Sequence, residues 1–488
     1  MSRLQRAIFV LMGMSLLLMG ATWVLEPSVI RFGAAFALLW VLPGVTWALL
    51  LHGDWRARVV LGLGLAFVSS GLSTLLLHLL PGPFPVTPAR LIYGGLVAGP
   101  ALLLLRSKSP RTPPESQPGL QPWALGLLVL IALLVRLPNL DYSEFQGDEA
   151  VIMQRAAQAL AGDDEELFLH QKGPVEILTP MALWALTGTT TEWQARAPFT
   201  LAGVLAVAAV AVLATRWFNA RAGLLTGLLL AVNGLLVAFG RIVQYQSLVV
   251  AMGALGLLAL TVYARRGRVR DLLLGAVLLA YGLLAHYDAV LVAPAILGLL
   301  AVGLLSRRAN WRREVENIGL ALGVGVSVLG IFYVPFMLNP MFSRTFAYLS
   351  AGRLGSDGVF HNSAPSVWVM SVFYTSIYYV IGMMLLVALA GMGTIVKFLS
   401  KKPGFSTDFT YAWLYFLTPF VFYVFVVIDP RTHIYTFYPG AAVLAGALLA
   451  EIWARVWPVR RGGALVGAVL IGLWYLLCAG YVLSLIHI

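Results

Sequence analysis

Apolar runs of about 20 residues recur along the whole of this 488-residue chain, each long enough as a helix to cross roughly 30 Å of hydrocarbon. A soluble domain keeps about a quarter of its residues charged to cover its surface. Here 11% are charged and 60% are hydrophobic, with a mean hydropathy of +0.86. Most of the surface must therefore face lipid. The expected fold class is an all-α polytopic membrane protein with about 15 transmembrane helices. The runs lie near 7–25, 33–51, 59–80, 91–105, 123–140, 197–215, 222–239, 247–264, 271–286, 289–305, 318–336, 367–392, 409–427, 434–452 and 463–483. The single cysteine, Cys478, excludes an internal disulfide framework.

The net charge of +12 does not point to nucleic acid, because the basic residues form short clusters between apolar runs. Such clusters encode orientation in a membrane. With the N-terminus inside, the cytoplasmic side receives Arg3/Arg6, Arg56/Arg58, Arg106/Lys108/Arg111 and Arg216/Arg221. It also receives the four arginines of 265–270, the four of 307–313, Lys397/Lys401/Lys402 and Arg455/Arg460/Arg461. That is 23 of 33 Lys and Arg residues, while 14 of 21 acids fall outside. The expectation is a multi-pass plasma (inner) membrane protein with a cytoplasmic N-terminus. No cleavage site follows Arg3 and Arg6, so the first run reads as a span and not as a removed signal. Residues 174–188 are apolar, but counting them as a span would place both four-arginine clusters outside. They are expected instead as an amphipathic interfacial helix.

Three regions follow. Residues 1–105 form an accessory four-helix membrane region, 106–122 a basic Pro/Ser-rich cytoplasmic linker, and 123–488 the membrane region bearing the polar outside loops. The ending SLIHI reads as translated sequencing-adapter sequence, so a natural C-terminus beyond Ile488 is expected.

The first large outside loop, about 139–194, holds the pair Asp148-Glu149 ahead of AVIMQRAAQAL, an amphipathic pattern whose apolar face (Val151, Ile152, Ala156, Ala159, Leu160) suits the membrane surface. Such carboxylates also serve as ordinary charges at a helix N-terminus. Asp163 to Glu166 reads as a solvated turn. His170-Gln171-Lys172-Gly173-Pro174 sets a lysine at a tight turn, where snorkelling to headgroups is the plainer role. Arg136, Arg196, Arg241 and Arg431 lie at outside helix ends, where positive charge is unexpected and marks a site or an ion pair. His286-Tyr287-Asp288 joins two spans on the same face, and a later loop adds Arg344, Arg353 and His361. Arginines gathered around a carboxylate pair suit a lipid phosphate or pyrophosphate.

These residues resemble the GT-C superfamily of membrane glycosyltransferases, in particular the family 39 branch of protein O-mannosyltransferases and the related lipid A aminoarabinose transferases. The resemblance spans roughly 123–450. It rests on Arg136-Leu137-Pro138, the acidic Gly147-Asp148-Glu149-Ala150, and His170 to Pro174, similar to the family's His-Lys-Pro-Pro turn. It continues in Arg196-Ala197-Pro198, FGRIVQYQSL (239–248), Ala285-His286-Tyr287 and Arg431-Thr432-His433-Ile434-Tyr435 with Pro439. Gln171 interrupts the basic turn, and Gly173 stands where the family has proline. The first four helices have no counterpart in the shared core.

The resemblance implies sugar transfer with inversion from a polyprenyl-phosphate sugar to a lipid, glycan or protein acceptor, on the extracytoplasmic face. Direct displacement needs a carboxylate to take the acceptor's proton and fixed positive charge where the leaving phosphate forms. Asp148 is assigned as base, with Glu149 orienting it or binding acceptor. Lys172, Arg241 and Arg431 are the expected donor-phosphate ligands, with Arg155, Arg344 and Arg353 behind them. His170, Tyr245, His286 and Tyr287 are expected to bind substrate. Glu176, or Asp288 with His286, could hold a divalent metal ion, but their spacing does not establish a site, so no cofactor is assigned. The competing readings are a lipid-linked-sugar flippase or transporter, an oligosaccharide polymerase or ligase, and a noncatalytic relative. Mid-span positions almost free of charge disfavour the transporter.

Overall fold

The structure, a computed structural model, describes residues 3–106, 119–145, 147–353, 364–399, 407–428, 430–459 and 461–486, and their regular elements are all helical. Among the described residues, twelve helices are long and apolar enough to cross a membrane: Arg6–Val24, Val29–Leu50, Trp55–His78, Val86–Leu105, Glu192–Trp217, Gln246–Arg266, Tyr287–Ser306, Arg308–Leu338, Ile377–Lys397, Asp408–Val426, Arg431–Trp457 and Leu465–Ser484. Most of the expected linker, His361 and the last two residues lie outside the described residues.

The difference from about 15 spans lies in how three expected runs are built. The run at 123–140 is helical only over Pro122–Leu134. The run at 222–239 breaks into Ala220–Ala231 and Gly234–Phe239 at Asn233, whose side chain caps the second piece by accepting from the Leu236 N–H (2.9 Å). The run at 271–286 forms the 17-residue helix Val269–Ala285. The expected 367–392 run likewise divides, into Ala364–Tyr374 and Ile377–Leu399.

Glu192–Trp217 and Gln246–Arg266 are buried along nearly their whole length and pack against each other at the centre of the bundle. Their sequences are rich in Ala, Gly and Val, and such small side chains let helix backbones approach closely. The outer helices, among them Arg308–Leu338 and Leu465–Ser484, leave leucines, valines and isoleucines exposed, as a lipid-facing surface requires.

Two expectations about the loop helices are corrected. Val175–Thr187 is buried at every residue except the half-buried Trp184, so it is not amphipathic. It is enclosed by Val29–Phe36, Trp55–His78 and the helix Asp148–Ala161. Its 13 residues rise only about 20 Å, too short for a span. Asp148–Ala161 rests Ile152, Met153, Ala156 and Ala159 inward, packing on that buried helix and not on the membrane surface, while Val151 is exposed.

The accessory helices dock on the central bundle mainly through Trp55–His78, which touches Glu192–Trp217, Gln246–Arg266 and Val269–Ala285. At Gly71 a Cβ atom would lie 2.2 Å from the Tyr281 hydroxyl and 2.7 Å from its ring, so only glycine allows this approach. Overpacking of this kind costs typically about 1–3 kcal/mol. Gly71→Leu should therefore lower the thermal unfolding midpoint in detergent. Gly99→Leu, at a helix position with nothing within 4 Å, should leave it nearly unchanged.

Candidate active site

Among its described residues, the loop that follows Pro122–Leu134 has no regular structure of its own until Asp148, and two arginines hold it in place. Arg196, completely buried, makes a bidentate ion pair with Glu149 (Nε–Oε1 2.9 Å, Nη2–Oε2 2.8 Å). It also donates to the carbonyls of Leu140 (2.6 Å), Ser143 (3.0 Å) and Glu144 (3.4 Å). The backbone N–H of Val243 gives Glu149 Oε1 a further bond of 2.8 Å. Arg241 donates to the carbonyls of Arg136 (3.1 Å), Pro138 (2.7 Å) and Asn139 (3.0 Å). Arg136 is itself buried and donates to the Ala231 carbonyl (3.0 Å), and burial pushes its guanidinium down to about 9.

These bonds occupy a residue expected at the donor phosphate. Arg241 was assigned to the donor phosphate, but its donors go to three loop carbonyls, and a flat multi-donor guanidinium is well shaped for that work. Burial, and then the charge of Arg196, also lower its pKa. Arg155 likewise turns to its own loop, pairing with the Glu166 carboxylate (3.1 Å). Glu166 is therefore buried and paired, whereas Asp163, Asp164 and Glu165 are exposed as the expected turn acids, with Asp163 accepting from the Glu165 N–H (3.1 Å).

With Glu149 directed inward, its neighbour Asp148 faces out. The Asp148 side chain is 65% exposed against 6% for Glu149. It accepts from Gln244 Nε2 (3.2 Å), and Lys172 Nζ stands 4.0 Å from the same Oδ2. Lys172 comes from the expected turn, in which Gln171 takes a left-handed φ of 58°. Gly173 then presses on the end of Val269–Ala285, where a Cβ would fall 1.8 Å from the Leu284 carbonyl oxygen. Neither a proline nor any other side chain fits at Gly173. The departure from the family's turn thus has a packing cause.

Lys172 Nζ also lies 5.3 Å from the centre of the Tyr245 ring, which stacks in parallel on His286 (3.9 Å, 5°). His170 bonds through Nε2 to the fully buried Glu176 (2.8 Å). Burial opposes the charge of Glu176, but the His170 hydrogen bond and the field of Lys172 hold its carboxyl below the usual range. The aromatic chain leads on to the late part of the sequence: Tyr245 is 6.4 Å and His286 5.4 Å from His433, ring to ring. Early acids and the Arg431–Thr436 turn therefore belong to one constellation.

At its inner end sits Asp288. Its carboxylate accepts from the hydroxyls of Tyr423 (2.6 Å) and Tyr435 (3.0 Å) and from His433 Nδ1 (2.7 Å), while its N–H donates to His286 Nδ1 (3.1 Å). His286, Asp288 and His433 are all buried, and one ligand atom from each lies within 4.8 Å of the others. Two imidazoles and a carboxylate are a donor set suited to zinc-like ions. Burial pushes His286 down to about 4, leaving the neutral ring that ligation requires. Beside Asp288 opens a mostly apolar cavity of about 180 Å³ lined by Tyr287, Leu291, Phe422 and Val427.

Arg431 is exposed at the head of the turn that bears His433 and Tyr435, with a left-handed φ of 42°. Arg344 is exposed on the helix Met341–Ala347. The side chain of Arg353 is outside the described residues. Sequence reasoning left Gln244, Tyr423, His433 and Tyr435 without roles. His433 and Tyr435 stood inside a quoted motif, whereas Tyr423 lies in an apolar run with no signal to separate it from core.

The family model described as dolichyl-phosphate-mannose-protein mannosyltransferase matches residues 172–337, about a third of the chain. No curated protein matches. Among solved structures, the chain is similar to ArnT from Cupriavidus metallidurans bound to undecaprenyl phosphate (21% identity, 71% of this chain and 63% of that one, TM-score 0.49). It is also similar to the Archaeoglobus fulgidus oligosaccharyltransferase tethered to an acceptor peptide (12%, 75% and 55%, TM-score 0.51). A third is AglB from the same organism with an inhibitory peptide and a dolichol-phosphate (13%, 74% and 55%, TM-score 0.49). The chain spans less than two thirds of the length of each.

Removing one partner of a buried pair leaves the other charge uncompensated, at about 3–5 kcal/mol. Glu149→Gln should accordingly lower the unfolding midpoint in detergent sharply, and Asp148→Asn, at an exposed position, should leave it within a degree or two. Equal midpoints for the two variants would contradict the inward-outward division of the carboxylates.

Proposed function

We propose that this chain, in fold a member of the GT-C superfamily of membrane glycosyltransferases, is an inverting glycosyltransferase. It moves a sugar from a polyprenyl-phosphate donor to a lipid, glycan or protein acceptor at the extracytoplasmic face of the plasma membrane. The observation that carries this reading is the solvent-facing Asp148 carboxylate, 4.0 Å from the Lys172 ammonium on the rim of a buried aromatic and histidine cluster. The donor class is supported by the family description over 172–337, which names a polyprenyl-phosphate sugar. The sidedness is supported by the distribution of Lys and Arg between the loops.

In the reaction, the acceptor oxygen attacks the anomeric carbon from the face opposite the phosphate, and Asp148 takes its proton as the new bond forms. The bond from the anomeric carbon to the phosphate oxygen breaks, and its electron pair leaves on the polyprenyl phosphate. That anion is a good leaving group and needs positive charge more than a proton donor. Lys172 and Arg431 supply it at the site, and Arg344 and Arg353 supply it from the outer loop. Arg241 and Arg155 serve the same site by holding the loop. Gln244 keeps Asp148 directed at the acceptor. His170, Tyr245, His286 and Tyr287 form the wall against which the sugar rests, and the apolar cavity beside Asp288 takes a prenyl or acyl chain.

His286, Asp288 and His433 fit a divalent ion by donor type, and an ion bound there would add positive charge behind the sugar site. The transfer steps above rest on the side chains alone.

Asp148→Asn should reduce transfer from a purified polyprenyl-phosphate sugar by about 10²–10⁴-fold while the protein stays folded. Undiminished turnover would remove Asp148 as the base. Movement of lipid-linked sugar across liposomes without a new glycosidic bond would favour the transporter reading instead. Elemental analysis of purified protein should find about one equivalent of a divalent metal, lost in His433→Ala. Metal-free active protein would leave Asp288 as a hydrogen-bonded structural carboxylate.

A further inference from the structure

A second cavity, of about 280 Å³, lies at the opposite membrane face. Arg196, in the candidate active site, and Arg216, in the cavity wall, stand 20 residues apart on the same helix, which separates them by about 30 Å. The cavity is composite. The turn Leu50 to Asp54 of the accessory region forms one wall, and Arg216, Arg266, Arg270 and Asp271 from the central bundle form the other.

Its polar wall is lined with arginine and aspartate side chains. Arg216, with a side chain 9% exposed, pairs with Asp54 Oδ2 (3.1 Å), and Arg56 holds the other oxygen of that carboxylate (2.8 Å). Arg266 Nη1 lies 3.6 Å from where a Cβ on Gly53 would stand, so its guanidinium closes the cavity against the turn. Asp271 is 4.0 Å from Arg270. Three lining arginines face two lining aspartates. Arg58 and Arg268 lie close enough that their fields, after burial and Arg270, help lower the pKa of His52. The remaining lining is apolar, including Leu61, Val262 and Leu274.

We propose that this cavity binds the phosphodiester headgroup of an anionic phospholipid from the leaflet that the charge distribution assigns to the cytoplasm. Basic pockets between helices on that face suit such headgroups. The arginines around His52 would compensate the phosphate, and the leucine-lined wall would take the upper acyl chain. A soluble anion would use only half of this lining. Because the two walls come from different regions, the bound lipid ties the accessory helices to the central bundle. The site is independent of the proposed transferase reading.

The test is titration of full-length protein in a neutral detergent with dioctanoyl-phosphatidylglycerol, dioctanoyl-phosphatidylcholine and inorganic phosphate, read by calorimetry and by the unfolding midpoint. Phosphatidylglycerol should bind and raise the midpoint. Binding should weaken at least about tenfold in Arg266→Gln/Arg270→Gln, equivalent to about 1.4 kcal/mol. It should persist in Lys172→Gln, which separates this cavity from the active site. The double variant should keep its wild-type midpoint in the absence of anionic lipid. Equal binding of phosphatidylcholine, an equal response to inorganic phosphate, or unweakened binding in the double variant would each overturn the proposal.

Discussion

The buried pair between Arg196 and Glu149 is the contact on which the site's geometry rests. Adjacent residues on an α-helix point about 100° apart, so two neighbouring carboxylates cannot both face the same partner. Arg196 captures Glu149 in bidentate fashion and also binds three carbonyls of the preceding loop. The start of Asp148–Ala161 is thereby fixed in rotation, and Asp148 is directed to solvent. The helix N-terminus favours negative charge on both carboxylates, yet the two have different roles because one is clamped and the other is not.

The arginines at the outer helix ends fit the same logic. Positive charge is disfavoured on the non-cytoplasmic side of a membrane protein, the side on which the distribution of Lys and Arg leads one to expect Arg136, Arg196, Arg241 and Arg431. Arg196 and Arg241 prove to be donors to loop carbonyls, and Arg136 to the last carbonyl of the helix Ala220–Ala231. An irregular loop next to the membrane has many carbonyls without helical partners, and leaving them buried and unbonded would be costly. A guanidinium satisfies several at once. Their persistence on this face is thus explained first by backbone hydrogen bonding, and Lys172 is the cation that the structure sets beside Asp148.

The bundle was largely legible, because runs of apolar residues and the alternation of basic clusters both follow from the energetics of crossing lipid. Hydropathy fails at Val175–Thr187, since it measures preference for an apolar surrounding and cannot distinguish lipid from protein. The helix is enclosed by neighbours from the first hundred residues and by Asp148–Ala161, which no local pattern reveals. The candidate site was legible where its residues lie in contiguous motifs, as at 147–150 and 170–174. It was not legible around Asp288, whose partners Tyr423, His433 and Tyr435 lie 135 to 147 residues further along. Gln244, 96 residues from Asp148, was hidden for the same reason.

The two central helices give these separate observations a common frame. Glu192–Trp217 begins beside Glu149 and ends in the basic cavity, while Gln246–Arg266 begins next to Tyr245 and ends there as well. Both are buried along nearly their full length, and close-packed interiors resist bending. Residues at the two membrane faces are therefore held in one register by the same pair of rods. The accessory helix Trp55–His78 packs against both rods, and Gly71 brings it close to Tyr281 on Val269–Ala285. That helix ends at Leu284 and Ala285, the backbone against which Gly173 presses to position Lys172. The helices of residues 1–105 thus support the helix on which Gly173, the neighbour of Lys172, packs, which gives them a physical role in shaping the candidate site.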